Sequence, residues 1–135
     1  MKDTKEWHSM PLHIKKKGYP KHVNPENENV YRGWFPFMDN DPSHKEFYDM
    51  GLPLKEFSDD HKIYPIVEDN PMPEEAKYRS LIKRYTKWWH FQTNVCMHLI
   101  RLIAVGLGKK RDYFDHWFTQ NSLGTFRTIH YLPRK

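Results

Sequence analysis

At 135 residues the chain has the length of one domain with one modest core. Its 22 basic and 17 acidic residues leave a net charge of +5, too mild to demand a nucleic-acid groove, and its single cysteine, Cys96, excludes an internal disulfide or a cysteine-based zinc site. The opening MKDTKEWHSMPLHIKKK is charged throughout and has no secretory h-region, and the most apolar run, CMHLIRLIAVGLG, is interrupted by His98 and Arg101 and too short to cross a bilayer, so an intracellular, cytoplasmic protein without a membrane partner is expected.

Residues 1–29 are polar, basic and punctuated by proline, with MPLHIKKKGY the one candidate for a short helix. NPENEN reads as a turn, since Asn and Pro favour local turns over ladders. The stretch VYRGWFPFMDNDP is an aromatic cluster broken by Gly33, Pro36 and Pro42. A glycine between large aromatics points to a close backbone approach or a bend, and Pro36 argues against a central strand. Val30 to Met72 is expected as irregular backbone with one or two short edge strands. Nine of the ten prolines lie between Pro11 and Pro73, and aliphatic and aromatic residues crowd from Tyr78 to Leu132, so the packing is expected in the second half.

At Pro73 the pattern changes. Pro73-Glu74-Glu75 is a helix start: proline is tolerated where its missing N–H is not needed, and carboxylates favour the positive end of the helix dipole. Apolar residues then recur at spacings of three and four, through Tyr78, Leu81, Ile82, Tyr85, Trp88, Trp89, Val95, Cys96, Leu99, Ile100, Leu102 and Ile103. Gly106 and Gly108 supply the stop. The spacing predicts a helix over about 73–106, which would back something large. KKRDYFDHWF predicts a short helix over about 110–118, and QNSLG a turn. TFRTIHYL has the content of a strand over about 125–132, with Phe126, Thr128, His130 and Leu132 on one face and Thr125, Arg127, Ile129 and Tyr131 on the other. Polar groups on both faces place such a strand beside a site or at an edge.

Chemistry-bearing patterns are few. Nine histidines invite a metal reading, yet His90 and His98 have no Glu or His at helical ligand spacing. A non-haem iron site wants His-x-Asp or His-x-Glu with a distant His. Only His44-Lys45-Glu46 meets that pattern, and its position after DNDPS favours a surface loop. Asp59-Asp60-His61 reads as a solvated turn. Cys96 falls on the apolar helix face, where cysteine is an inert small hydrophobe. The basic clusters Lys15-Lys16-Lys17 and Lys109-Lys110-Arg111 are expected as solvated faces or helix-end charge, and no nucleophile elbow or phosphate-binding loop is present.

RGWFPFMDN, EFYDMGLPL, MPEEAKYRSLIKRY, HLIRLIAVGLGKKRDYFDHWF and LGTFRTIHYLPR, in that order, resemble the isopenicillin N synthase-like family of non-haem Fe(II), mostly 2-oxoglutarate-dependent, oxygenases. The resemblance runs from about Met10 to Arg134. It implies an α+β fold, a partial jelly roll (double-stranded β-helix), with an irregular extended first half, one long backing helix, a short helix and a terminal strand. On that reading residues 1–29 are a polar N-terminal segment and 30–135 a partial oxygenase-like domain. In the family the segment like TFRTIHYLP precedes the strands that carry the iron ligands, so neither catalytic nor metal residues are assigned to this chain. Fe(II) and 2-oxoglutarate are implied for a complete member. The residues that correspond loosely to substrate contacts are Arg32, Trp34, Thr125 and Tyr131. The expected function is the non-catalytic portion of such an oxidoreductase, completed by the rest of the domain or by a partner chain. The alternative is a family descendant that serves as a structural or binding subunit.

Overall fold

The computed structural model describes residues 2–57, 59–73, 76–118 and 123–133. In chain order they form α1 (Lys2–His8), α2 (Leu12–Lys15) continued by a 3-10 turn at Lys16–Gly18, β1 (Gly33–Phe35), β2 (Lys45–Met50), a 3-10 turn at Leu54–Glu56, the single-turn α3 (Asp59–Lys62), α4 (Ala76–Gly106) and β3 (Phe126–Tyr131). Glu74, Glu75 and Gln120 to Ser122, on which the helix-start and turn readings partly rest, lie outside the described residues. Among the described residues no helix is long and apolar enough to cross a membrane.

The strands make one antiparallel sheet in the order β1-β2-β3. Trp34 pairs with Tyr48, Tyr48 with Thr128, and Glu46 with His130. β2 is therefore central, where only edge strands were expected. Both prolines of this region, Pro36 and Pro42, fall in the connection between β1 and β2, so neither removes a ladder donor. Gly33 makes the close approach that its aromatic neighbours implied: its φ is 137°, and a Cβ there would stand 2.1 Å from the carbonyl oxygen of Gly18. Only glycine fits that contact.

Packing is centred in the first half of the chain, contrary to the compositional expectation. Trp7, Met10, Ile14, Trp34, Tyr48 and Met50 form the main cluster with Leu81 and Tyr85 of α4. The N-terminal segment is polar on average, yet Trp7, Met10 and Ile14 sit three and four residues apart and all turn inward. α1 itself was not foreseen, because KDTKEWH has no apolar stripe. A fully buried aromatic anchors it: the Trp7 ring lies 4.3 Å from that of Tyr48.

The proline-rich stretch after β2 is irregular but tied down. Glu68 accepts the backbone N–H groups of Val30, Tyr31 and Arg32 at 2.7, 2.8 and 2.6 Å. Asn70 exchanges two hydrogen bonds with the backbone of Gly51, at 2.9 and 2.8 Å. These side chains stand in for a neighbouring strand and satisfy backbone groups that would otherwise be costly to bury.

α4 is a long helix with two different environments. Leu81, Tyr85 and Trp89, four residues apart, are buried against the sheet side. Trp88, Phe91, Val95, Leu99, Leu102 and Ile103 form a second stripe that is exposed. Cys96, expected on the buried face, is exposed as well. The helix ends in a Schellman motif, with Lys109 N–H bonded to Ala104 O at 2.9 Å, Gly108 N–H to Val105 O at 2.9 Å, and Gly108 at φ 70°. The helix expected over about 110–118 is absent: residues 111–118 are successive turns closed by i→i+3 bonds such as Tyr113 N–H to Lys110 O and Asp115 N–H to Asp112 O, both 3.0 Å. A bidentate pair between Arg101 and Asp115, with its shortest contact at 2.7 Å, fastens this segment back on α4.

Candidate functional site

The densest polar arrangement is centred on Glu46. On β2 the alternation places Glu46, Tyr48 and Met50 on the inward face, so the strand's own period carries a carboxylate into the interior. Its Oε1 accepts from Nδ1 of His8 and Nδ1 of His130, each at 3.0 Å. Its Oε2 accepts from Nζ of Lys15 at 2.8 Å and from Nε1 of Trp34 at 3.1 Å. Lys15 also donates to the His8 carbonyl at 3.1 Å and stands 4.7 Å over the Trp34 ring. Burial alone would raise the Glu46 carboxyl, but the donors from His8, Lys15 and His130 outweigh it and hold the group at about 2. Glu46 is a saturated anion rather than a free base.

Four donors on four elements meet there: α1, α2, β1 and β3. Glu46 and His130 are direct cross-strand partners, and α1 and α2 bring His8 and Lys15 over the same end of the sheet. An open groove of about 510 Å³ runs beside the cluster, lined by Thr4, Lys5, His8, Ser9, Ile129 and His130.

Three register positions further along, Asp49 is fully buried opposite Arg127, which grips it through Nε at 2.6 Å and Nη2 at 2.7 Å. The Arg127 guanidinium lies 4.1 Å over the Phe47 ring, and its pKa is raised first by the hydrogen bond to Asp49. This pair locks β2 to β3.

The residues matched to substrate contacts are not gathered in one place. Arg32 is buried, with Nη1 donating to the carbonyls of Leu52, at 2.6 Å, and Glu68. Burial lowers its pKa, and its guanidinium lies across Gly51, where a Cβ would meet it at 2.3 Å. Trp34 is buried and spends its indole N–H on Glu46. Thr125 is exposed and lines a cavity of about 230 Å³ with Trp89, Cys96, Phe118 and Phe126. Tyr131 is exposed at the other end of β3, about 20 Å away at strand rise.

The triplet His44-Lys45-Glu46 is split by the backbone. His44 has φ 49°, its Nδ1 faces the Leu132 carbonyl at 3.2 Å and its ring packs edge-on against Phe37, while Glu46 points into the interior. Glu46 is thus neither in a surface loop nor paired with His44. The triplet does not fit the iron cage that the resemblance implies.

His8 and Lys15 could not be read as partners of Glu46 from spacing, because they are 38 and 31 residues away in the chain. The legible signals were the inward parity of Glu46 in KEFYDM and of His130 in TFRTIHYL. A carboxylate and an imidazole on the same face of adjacent strands require hydrogen-bond partners.

Neither a protein-family profile nor a curated protein matches this sequence. Solved structures do. A 2OG-Fe(II) oxygenase family protein from Caulobacter crescentus has a TM-score of 0.71 and 22% identity, covering 99% of this chain and 43% of that one. A C-terminally truncated protein of Neurospora crassa in apo form gives 0.67 and 23%, covering 96% and 42%. The full-length form of that Neurospora crassa protein, in complex with alpha-KG, gives 0.61 and 22%, covering 96% and 34%. The chain spans less than half the length of each. With its helices, its antiparallel sheet and this match over nearly its whole length, the chain shares the α+β fold of the matched part of these structures.

Proposed function

We propose that this chain is the non-catalytic portion of an isopenicillin N synthase-like Fe(II)/2-oxoglutarate oxidoreductase, supplying the backing helix and the substrate-side loops. The observation that carries this reading is the second face of α4. Trp88, Phe91, Val95, Leu99 and Leu102 run as one stripe at spacings of three, four, four and three, and are 46, 57, 38, 53 and 66% exposed. A contiguous apolar face of this kind is a contact surface. The matched oxygenase structures are more than twice as long as this chain. The remaining sheet of the jelly roll is the occupant we assign to the stripe.

The iron ligands then belong to that remainder. The resemblance places them after the segment like TFRTIHYLP, and the one matching triplet in this chain is split. Thr125 and Tyr131 stay on the surface, where a substrate held by the completed domain can meet them. Arg32 and Trp34 support that side from behind, through Gly51 and Glu46. On this proposal Thr125 and Tyr131 are the substrate contacts, and Arg32 and Trp34 act through the residues they hold.

The test compares the protein isolated from its source with the 135-residue chain alone. Fe(II)-dependent consumption of 2-oxoglutarate is expected from the source protein and not from the isolated chain. Consumption by the isolated chain overturns the division of labour. Consumption by neither overturns the oxidoreductase reading and leaves the stripe as the interface of a structural or binding subunit.

A further inference from the structure

We propose that His8, Glu46 and His130 bind a divalent transition-metal ion of the zinc type, which clasps α1 to the sheet. They are a histidine and carboxylate group brought together from remote parts of the chain, with one ligand atom of each within 4.8 Å of the others. All three side chains belong to this chain, and the site does not depend on the oxidoreductase reading.

Three features favour an ion here. Two imidazole nitrogens and one carboxylate oxygen are a donor set used by zinc sites that keep an open position. Both Nδ1 atoms already stand 3.0 Å from the same Oε1, close to the separation of about 3.3 Å that ligand atoms take around a tetrahedral ion with bonds of about 2.0 Å. The carboxylate is also oriented from behind, because Lys15 and Trp34 hold Oε2 and leave Oε1 facing the two rings, as outer partners orient metal ligands.

His8 closes the site from within: its side chain is 5% exposed, so an ion held through its Nδ1 is shielded from water on that side. His130, with its side chain 43% exposed beside the groove, gives the ion its entry path and room for a water as fourth ligand.

Lys15 sets the strength. Its ammonium already neutralises the single carboxylate, and the ion must displace the hydrogens that both rings direct at Oε1. Binding is therefore expected at micromolar level, weaker than a closed structural zinc site, and accompanied by proton release.

The experiment is a calorimetric titration of the chelator-stripped full chain with Zn(II), repeated with Co(II) followed by visible absorption. One ion per chain and a Co(II) spectrum of tetrahedral type are expected. His130→Ala, at the open edge of the site, should weaken Zn(II) binding at least tenfold and abolish the rise in melting temperature that Zn(II) gives the parent. His116→Ala, at a histidine outside the cluster, should leave both unchanged. Glu46→Gln provides a second variant that keeps side-chain size. Absence of binding, or binding that His130→Ala leaves intact, overturns the proposal.

Discussion

The two ends of α4 are built from the same alphabet and meet opposite surroundings. Up to Trp89 the helix buries Leu81 and Tyr85 in a core that also takes Trp7 from α1 and Trp34, Tyr48 and Met50 from the sheet. Beyond it the helix carries Leu99, Leu102 and Ile103 into solvent, with the turns of 111–118 fastened by Arg101 and Asp115 at its far end. At the boundary the two faces also differ: Trp89, towards the sheet, is 5% exposed and Trp88, on the outer stripe, 46%. Apolar periodicity marks which face of a helix wants cover, and the rest of the fold decides whether cover is present.

Substitutions at the two ends should therefore differ most. Trp7→Ala in the covered half should cost about 3–5 kcal/mol, whereas Phe91→Ala on the open stripe of the isolated chain should change stability by no more than about 0.5 kcal/mol. Urea unfolding of both variants measures the contrast, and equal losses would break it. Arg127→Ala should come next, at about 3 kcal/mol, because it leaves Asp49 buried without its partner.

A smaller effect concerns acid. Glu46 is held at about 2 against an ordinary 4.5, so its contribution to stability is present above the ordinary value and is lost as pH falls towards 2. The groups that hold it down are the donors of Lys15 and of the His8 and His130 rings. Glu46→Gln should flatten the fall in melting temperature between pH 4.5 and 2. An unchanged acid limb would remove Glu46 from the account. The smallest effect is chemical: Cys96, exposed on the open half, should react with a thiol reagent in the folded chain at close to its unfolded rate. Strong protection would mean that this half is covered in the isolated chain.

Sequence reading reached the open half more readily than the core. The body of the long helix, its glycine stop and the strand at TFRTIHYL were legible because each rests on a local period or a local cap. The close approach at Gly33 was legible for the same reason. α1 was not, because a single buried tryptophan in a charged heptapeptide leaves no period to detect. β2 was placed too near the edge because nearby prolines weigh on the whole stretch, although they lie outside its ladder. The Glu46 cluster joins residues 38 and 84 positions apart, and no local pattern announces such a meeting. The helix expected at 110–118 had the right spacing of Tyr113, Phe114, Trp117 and Phe118, yet three of these four are largely exposed, and spacing without cover yielded turns.

The most direct test of the account is hydroxyl-radical footprinting of Trp88, Phe91 and Leu99, in the protein from its source and in the isolated 135-residue chain. If the rest of an oxygenase fold lies on α4, these side chains are oxidised slowly in the source protein and rapidly in the isolated chain, while Trp7 is protected in both. Equal, rapid oxidation in both would contradict the account, because the apolar stripe would then face water in the protein as it exists.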